Sequence, residues 1–361
     1  MKHQNVMIPA QRTRQTLFFI LISLFFVASC TRNTSLTVLQ PAQMKLPEHI
    51  STVAIVDRSK PSNGWLNVLE GLFTGEAIGQ DRQSRHEAVD GVSTILQRTP
   101  RFRVKTTGIE MTGSKAGVNL PAPLSWTEVQ RICDDYNADA VLTIESFDSD
   151  NSASARRVET KRKDKSGKEY VDISFDARQR TGVRMGWRMY DPKTQTIVDE
   201  FITDDFLEKT ASGSSERAAL SNLPAPVNVS RMVAHNGGVR YGMRVAPVYV
   251  QVSRQYYTKA KGYQSEMKQA TRYAQSRDWK RAAEAWKNIE ARSHEQRKAA
   301  GRAAFNMAFA AEMQGELDIA LDWAKKSWHD YGNKKARRYI GTLQQRKRDV
   351  QTVDYQMNKK V

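Results

Sequence analysis

Residues 138–147 read ADAVLTIESF. A short aliphatic and β-branched run between polar flanks is the pattern of a strand buried on both faces. Immediately upstream, Ser125 with Glu128 three residues on forms a capping box, in which hydroxyl and carboxyl each satisfy a free backbone donor. The spacing therefore predicts a helix over Ser125–Tyr136 that feeds directly into this strand. Further back, RFRVKT at 101–106 alternates as a strand. Pro100 ends a helix read over Gly64–Arg98, where Val89, Val92, Ile95 and Leu96 recur at helical spacing. HISTVAIVD at 49–57 is another buried strand. The order β-α-β-α-β with apolar strands predicts a mainly parallel sheet covered by helices.

Downstream the period changes. Val171, Ile173, Phe175 and Ala177 alternate, as do Val183, Met185, Trp187 and Met189. Asp191-Pro192-Lys193-Thr194 is a turn, and Thr196–Phe201 returns. These read as an antiparallel meander. The polar stretch SDNSASARRVETKRKDKSGKE, from Ser149 to Glu169, is expected to be a long exposed hairpin loop. Pro224, Pro226 and Gly237-Gly238 suggest irregular structure over 207–240.

From Arg254 the pattern is helical. Ala270, Tyr273, Trp279, Ala282, Trp286 and Ile289 fall at tetratricopeptide-repeat spacing. Ala308, Ala311, Gly315, Leu317, Ala320, Ala324 and Ser327 fill the same places again. Small residues at 282 and 320 let paired helices approach, and Gly315 turns the chain. About three repeats are normally needed for stability, so the helix over Lys334–Arg348 is expected to act as a cap. Arg302, Asn306 and Phe309 stand at i, i+4 and i+7, on one face. In repeats of this type that face of the first helix lines the concave groove, so these three are the candidate partner-binding residues.

Charge is unevenly spread. The chain of 361 residues carries a formal net charge of +17. Residues 254–361 hold 24 bases and 12 acids, whereas residues 30–253 are nearly neutral. A basic segment attracts phosphate-rich or acidic partners, anionic lipid headgroups among them. Only Cys30 and Cys133 occur, so neither a disulfide framework nor a cysteine-based metal site is expected.

The beginning of the chain explains Cys30. Lys2, Arg12 and Arg14 precede an apolar run of 11 residues, Leu17–Val27, which ends in Val27-Ala28-Ser29-Cys30. A membrane-spanning helix needs about 20 residues. A run this short, followed by small residues, reads as an export signal. The end resembles a bacterial lipobox, which implies diacylglycerol on the Cys30 thiol, cleavage before it and acylation of the new amine. The absence of an acidic cluster after Cys30, and of aspartate at 31, points to the outer membrane facing the periplasm. For an exported chain, no nucleic acid partner is expected.

Several chemistry-bearing patterns fail on inspection. In Gly108–Lys115 the serine precedes the lysine, the reverse of a phosphate loop. Asp148, Asp150, Ser152 and Glu159 have calcium-loop spacing, but Ala153 stands where the turn needs glycine. Gly71, Gly75 and Gly79 repeat every four residues, which is expected to reflect close packing on the sheet or a bent loop rather than a membrane-helix face. Asp57, Glu76, Asp81 and Arg82 would offer a polar site at the strand ends if they converged.

GEAIGQDR, YNADAVLTIESFDSD, WRMYDPKTQ and the tail from RVAPVYVQVSRQYY onward resemble a family of Bacteroidota lipoproteins with no assigned activity. The N-terminal architecture is similar to the α/β domain of envelope lipoproteins of the curli-secretion and penicillin-binding-protein-activator types, a likeness of fold alone. The expected class is α+β: a signal at 1–29, a tether at 30–47, an α/β domain at 48–253 and a tetratricopeptide-like domain at 254–361. The expected function is a lipid-anchored envelope adaptor holding a protein partner, with no enzymatic activity and no cofactor. The alternative is a polysaccharide- or small-molecule-binding protein or enzyme acting through the α/β domain.

Overall fold

A computed structural model describes residues 30–60, 76–113 and 120–357. The protein is α+β, and it divides into two compact units. One comprises Val38–Val250 with the end of the chain from Asp349. The other comprises the chain up to Thr37 with Gln251–Arg348.

The first unit is built on a five-stranded sheet of order β3-β2-β4-β5-β6. Strand β2 (Thr52–Lys60) lies between β3 (Arg103–Thr112) and β4 (Ala140–Lys163), parallel to both. Strands β5 (Glu169–Asp191) and β6 (Thr196–Gly213) continue the sheet antiparallel. The β-α-β-α-β reading thus holds, with α1 (Glu76–Leu96) and α2 (Trp126–Tyr136) as the crossovers. Alternation explains why the first halves of β2 and β4 are apolar on both faces. Val53, Ile55, Leu142 and Ile144 join one core with Val92, Leu96 and Trp187. Ala54, Val56 and Val141 face the other way, onto Val129 and Ile132 of α2. Burying Val129 and Ile132 contributes about 1.5–3 kcal/mol each. Ser125 caps α2 by accepting the Glu128 N–H at 3.2 Å, as its spacing predicted.

Two expectations for this unit are corrected. Residues 207–240 are largely regular: β6 runs to Gly213, α3 covers Glu216–Ser221 and α4 covers Pro226–Val245. Pro226 sits at the first turn of α4, where its missing N–H costs nothing. Gly238 serves close helix packing, since a Cβ there would lie 2.1 Å from the Ala88 carbonyl oxygen of α1. Gly91 does the same from the other helix, 2.2 Å from the His235 oxygen. The second correction concerns the polar stretch before Glu169. It is strand, not loop: β4 pairs with β5 from Val141↔Tyr190 out to Lys163↔Glu169. Strand β6 stops opposite Phe175. Val158–Lys163 and Glu169–Ser174 therefore form a ribbon with no third strand among the described residues. Its turn is fixed by Asp164, whose carboxylate accepts from the Ser166 and Lys168 N–H groups at 2.9 Å, with Gly167 at φ +86°.

In the second unit, α5 (Gln264–Gln275) pairs with α6 (Trp279–Arg292), and α7 (Arg297–Met313) with α8 (Leu317–His329). Ala282 and Ala320 are fully buried where the helices meet, and Gly315 turns the chain at φ +83°. Helix α9 (Lys334–Gln356) follows and runs past the expected end at Arg348. Its last turns belong to the α/β unit, where the Gln356 amide bonds both Ala42 N and Ala42 O at 2.9 Å. The expected tether contains β1 (Thr31–Gln40), which pairs with β7 (Val248–Tyr257) in a two-stranded sheet. Its polar, β-branched composition suits a half-exposed strand, so the expected tether is in part a paired strand.

Candidate functional site

Helix α7 is almost entirely buried because alanines on every side let its neighbours close in. Asn306 and Phe309 are both 0% exposed. The expectation that they line an open groove is corrected: the end of β7 and the residues that follow it lie over them. Asn306 Oδ1 accepts from the Tyr257 N–H at 2.7 Å, and its Nδ2 donates to the Tyr257 carbonyl at 2.7 Å. Arg302, half-buried, donates to the Lys259 carbonyl at 2.7 Å. The Tyr256 ring stacks on Phe309 at 5.2 Å, and Trp279 meets Phe309 edge-on at 5.2 Å. The three residues do act together on an extended peptide, and that peptide is internal.

One turn further along α7, Glu312 anchors the same segment. Its carboxylate accepts from Arg254 Nε at 2.8 Å, from Arg346 Nη1 at 2.7 Å and from the Tyr339 hydroxyl. Burial pushes the Glu312 carboxyl up, but the hydrogen bonds and charges of Arg254, Tyr339 and Arg346 outweigh it and hold it below its ordinary value. A lone glutamate in an alanine-rich helix was the available signal for this hub, and the repeat pattern hid it.

At the end of the groove lies a hollow of about 540 Å³. Arg297, Lys298 and Arg302 of α7 and Lys334 and Lys335 of α9 line it, together with Tyr257. The Arg302 guanidinium stands 4.9 Å from the centre of the Tyr257 ring, and Lys335 Nζ stands 5.5 Å from it. Cys30, exposed, accepts a backbone hydrogen bond from Thr258 at 3.0 Å. The apolar run before Cys30 lies outside the described residues. Among those described, no helix is long and apolar enough to cross a membrane.

In the α/β unit, the buried carboxylate Glu145 is held by Arg58 at 2.6 Å and by the Thr143 and Tyr190 hydroxyls at 2.7 and 2.5 Å. Burial and the neighbouring Glu145 push the Tyr190 hydroxyl up to about 12. Asp57 accepts from Ser59 N at 2.8 Å and faces Arg85 Nε at 3.8 Å. The side chains of Glu76 and Asp81, and residues 71, 75, 114 and 115, lie outside the described structure. Arg82 lines a separate hollow of about 630 Å³ with His86, Glu87 and Arg231. Asp148, Asp150, Ser152 and Glu159 all lie on β4, an extended strand that cannot wrap one ion. Glu87, Asp90 and His235 approach one another at the surface, with Glu87 already paired to Arg231 at 2.5 Å. Cys133 is buried, and burial raises its thiol to about 12.

Comparison with known proteins gives two matches to domains of unknown function. Residues 50–257 match DUF8603, and residues 268–357 match DUF6340. No curated protein matches. Among solved structures, TolB from Acinetobacter baumannii is similar at 12% identity with a TM-score of 0.20, over 58% of this chain and 30% of that one. A PelC dodecamer from Paraburkholderia phytofirmans is similar at 14% identity with a TM-score of 0.22, over 59% of this chain and 100% of that one. A second PelC dodecamer from the same organism gives 12% identity and 0.21, over 59% of this chain and 99% of that one. The chain spans under a third of the TolB chain's length. Because its first match covers more than half of the 361 residues, the protein belongs to the DUF8603 family, defined by a domain of unknown function.

Proposed function

We propose that the protein is a lipid-anchored adaptor of the cell envelope, held through Cys30 at the outer membrane and engaging a protein partner. The export-type run before Cys30 and the exposure of that cysteine support the anchor. The observation that carries the adaptor reading is the ribbon at the end of β4 and β5. An isolated two-stranded hairpin is marginal in water, yet this one exposes Tyr170, Val171 and Ile173, each 45–50% accessible. Cross-strand pairs such as Arg162–Asp172 at 2.8 Å and Lys163–Glu169 at 3.3 Å hold its register. A surface of that kind gains most from being covered.

The groove itself is filled by Tyr256–Lys259, so in this reading the helical unit contributes its rim and outer faces to a partner. The test places a photo-crosslinking residue at Val171 in cells and compares the chain with one whose ribbon, Val158–Ser174, is replaced by a short turn. The adaptor reading expects one defined envelope protein captured at Val171, and lost without the ribbon. Identical cross-links from both chains overturn it. Fatty-acid labelling of the protein, abolished by Cys30→Ala, tests the anchor separately.

The hollow lined by Arg82, His86, Glu87 and Arg231 favours a second reading, in which the α/β unit binds a polysaccharide or an anionic small molecule. Saturable binding of a glycan, removed by Arg82→Ala, would support it over the adaptor.

A further inference from the structure

We propose that the basic hollow between the first turns of α7 and α9 is a binding site for the phosphate of an anionic lipid headgroup. Five bases line this hollow and no acid does. Elsewhere the chain pairs its bases freely: Arg254 and Arg346 share Glu312, Lys326 holds Glu290 at 2.7 Å, and Arg292 faces Glu266 at 3.6 Å. Among the described residues, none of Arg297, Lys298, Arg302, Lys334 and Lys335 has a carboxylate within ion-pair distance. Arg302 and Lys335 have only neutral partners, the Lys259 carbonyl and the Gln255 amide oxygen at 3.2 Å. Concentrating five like charges in a hollow of about 540 Å³ raises the energy of the empty state, and a multivalent anion relieves it. Guanidinium forks and ammonium groups together suit the three or four oxygens of a phosphate better than the two of a carboxylate.

Position selects the source of that phosphate, and here the inference rests on the anchoring reading. Tyr257 forms a wall of the hollow, and the next residue, Thr258, bonds the Cys30 backbone at 3.0 Å. A lipid on Cys30 would therefore hold the hollow beside the membrane surface. One anchor plus one basic cluster is the combination by which a peripheral protein gains lasting residence and orientation.

The test uses the chain with Cys30→Ser, so that no anchor contributes. Binding is measured to phosphatidylcholine vesicles with and without phosphatidylglycerol, and to vesicles given the same surface charge by oleate. The pocket variant Arg297→Gln, Lys298→Gln, Lys334→Gln is compared with Lys268→Gln, Lys280→Gln, Lys287→Gln. The latter removes the same charge from exposed positions on α5 and α6 and leaves the hollow intact. Circular dichroism confirms that both are folded. The expected result is at least tenfold weaker binding to phosphatidylglycerol vesicles for the pocket variant, a change within about twofold for the other, and weaker binding of wild type to oleate. Equal losses in the two variants, or equal binding to oleate, overturn the site. Inorganic phosphate supplies the second arm. If it protects Lys334 from acylation but wild type prefers phosphatidylglycerol no more than the pocket variant does, the phosphate is a soluble one and the membrane assignment falls. A chain with Cys30 intact that takes up no fatty-acid label would instead defeat the anchor and leave the vesicle result standing.

Discussion

Asn306→Ala separates a structural role for the groove face from a recognition role. The side chain makes two hydrogen bonds of 2.7 Å, one to each polar atom of the Tyr257 backbone. Asn306 is fully buried and Tyr257 nearly so. Truncation removes both bonds and strands a buried N–H and a buried carbonyl, each costing about 1–3 kcal/mol. Water entering the space left behind can recover part of this, so the expected loss is roughly 2–4 kcal/mol. Since each 1.4 kcal/mol is tenfold, the Tyr257 amide should exchange with solvent deuterium roughly 30- to 700-fold faster wherever local opening limits exchange. Urea unfolding followed by circular dichroism gives the stability change, and mass spectrometry of peptides covering 254–260 gives the local one. Unchanged stability together with an already unprotected Tyr257 amide in the wild type would refute the reasoning, for the segment would then be a removable occupant.

Glu312→Gln should destabilise the helical unit by about 3–5 kcal/mol, the usual cost of removing one member of a buried ionic cluster, read from the urea midpoint. Because the Glu312 carboxyl lies below its ordinary value when folded, its contribution is complete above the unfolded glutamate range of about 4.3 and is lost as pH falls through the folded value. Acid titration of the urea midpoint should show a loss below about pH 4 that Glu312→Gln flattens; parallel curves for the two chains would disprove it. Gly238→Ala should cost about 1–3 kcal/mol or more, since its methyl meets backbone rather than a flexible side chain. Gly341→Ala, in an exposed helical position with nothing within 4 Å, should instead gain roughly 0.5–1 kcal/mol. Thermal melts of the pair with opposite signs are the expected outcome, and a shared sign would count against the packing account.

The parts of the fold legible in the sequence are those in which local pattern and tertiary burial agree. The strand at Ala140, the capping box at Ser125 and the repeat spacing around Ala282 and Ala320 all follow from periodicity, because each side chain goes where its period points. The ribbon was missed because strand pairing there is sustained by cross-strand ion pairs, which sequence polarity mimics as loop. Helix α4 was missed because Gly237-Gly238 reads as a breaker until a second helix is seen pressing against it. The candidate site was half legible. The one-face spacing of Arg302, Asn306 and Phe309 was visible, but what lies against that face is fixed by contacts about 50 residues away along the chain, beyond the reach of any local pattern. The basic hollow shows in sequence only as a general excess of charge, since its bases come from two helices some 30 residues apart.

The pairing of β1 with β7 sets an order of events in biosynthesis. Roughly 200 residues separate the two strands, and at about 5–20 residues per second the first waits about 10–40 s for the second to be made. Throughout that interval the backbone N–H and carbonyl groups of Thr31–Gln40 await their partner strand. A chain that stops before Val248 therefore leaves a bare edge behind, the kind of template on which other strands can pair. A nascent-chain binding factor, or passage in an unfolded state, would guard that edge until the return strand arrives.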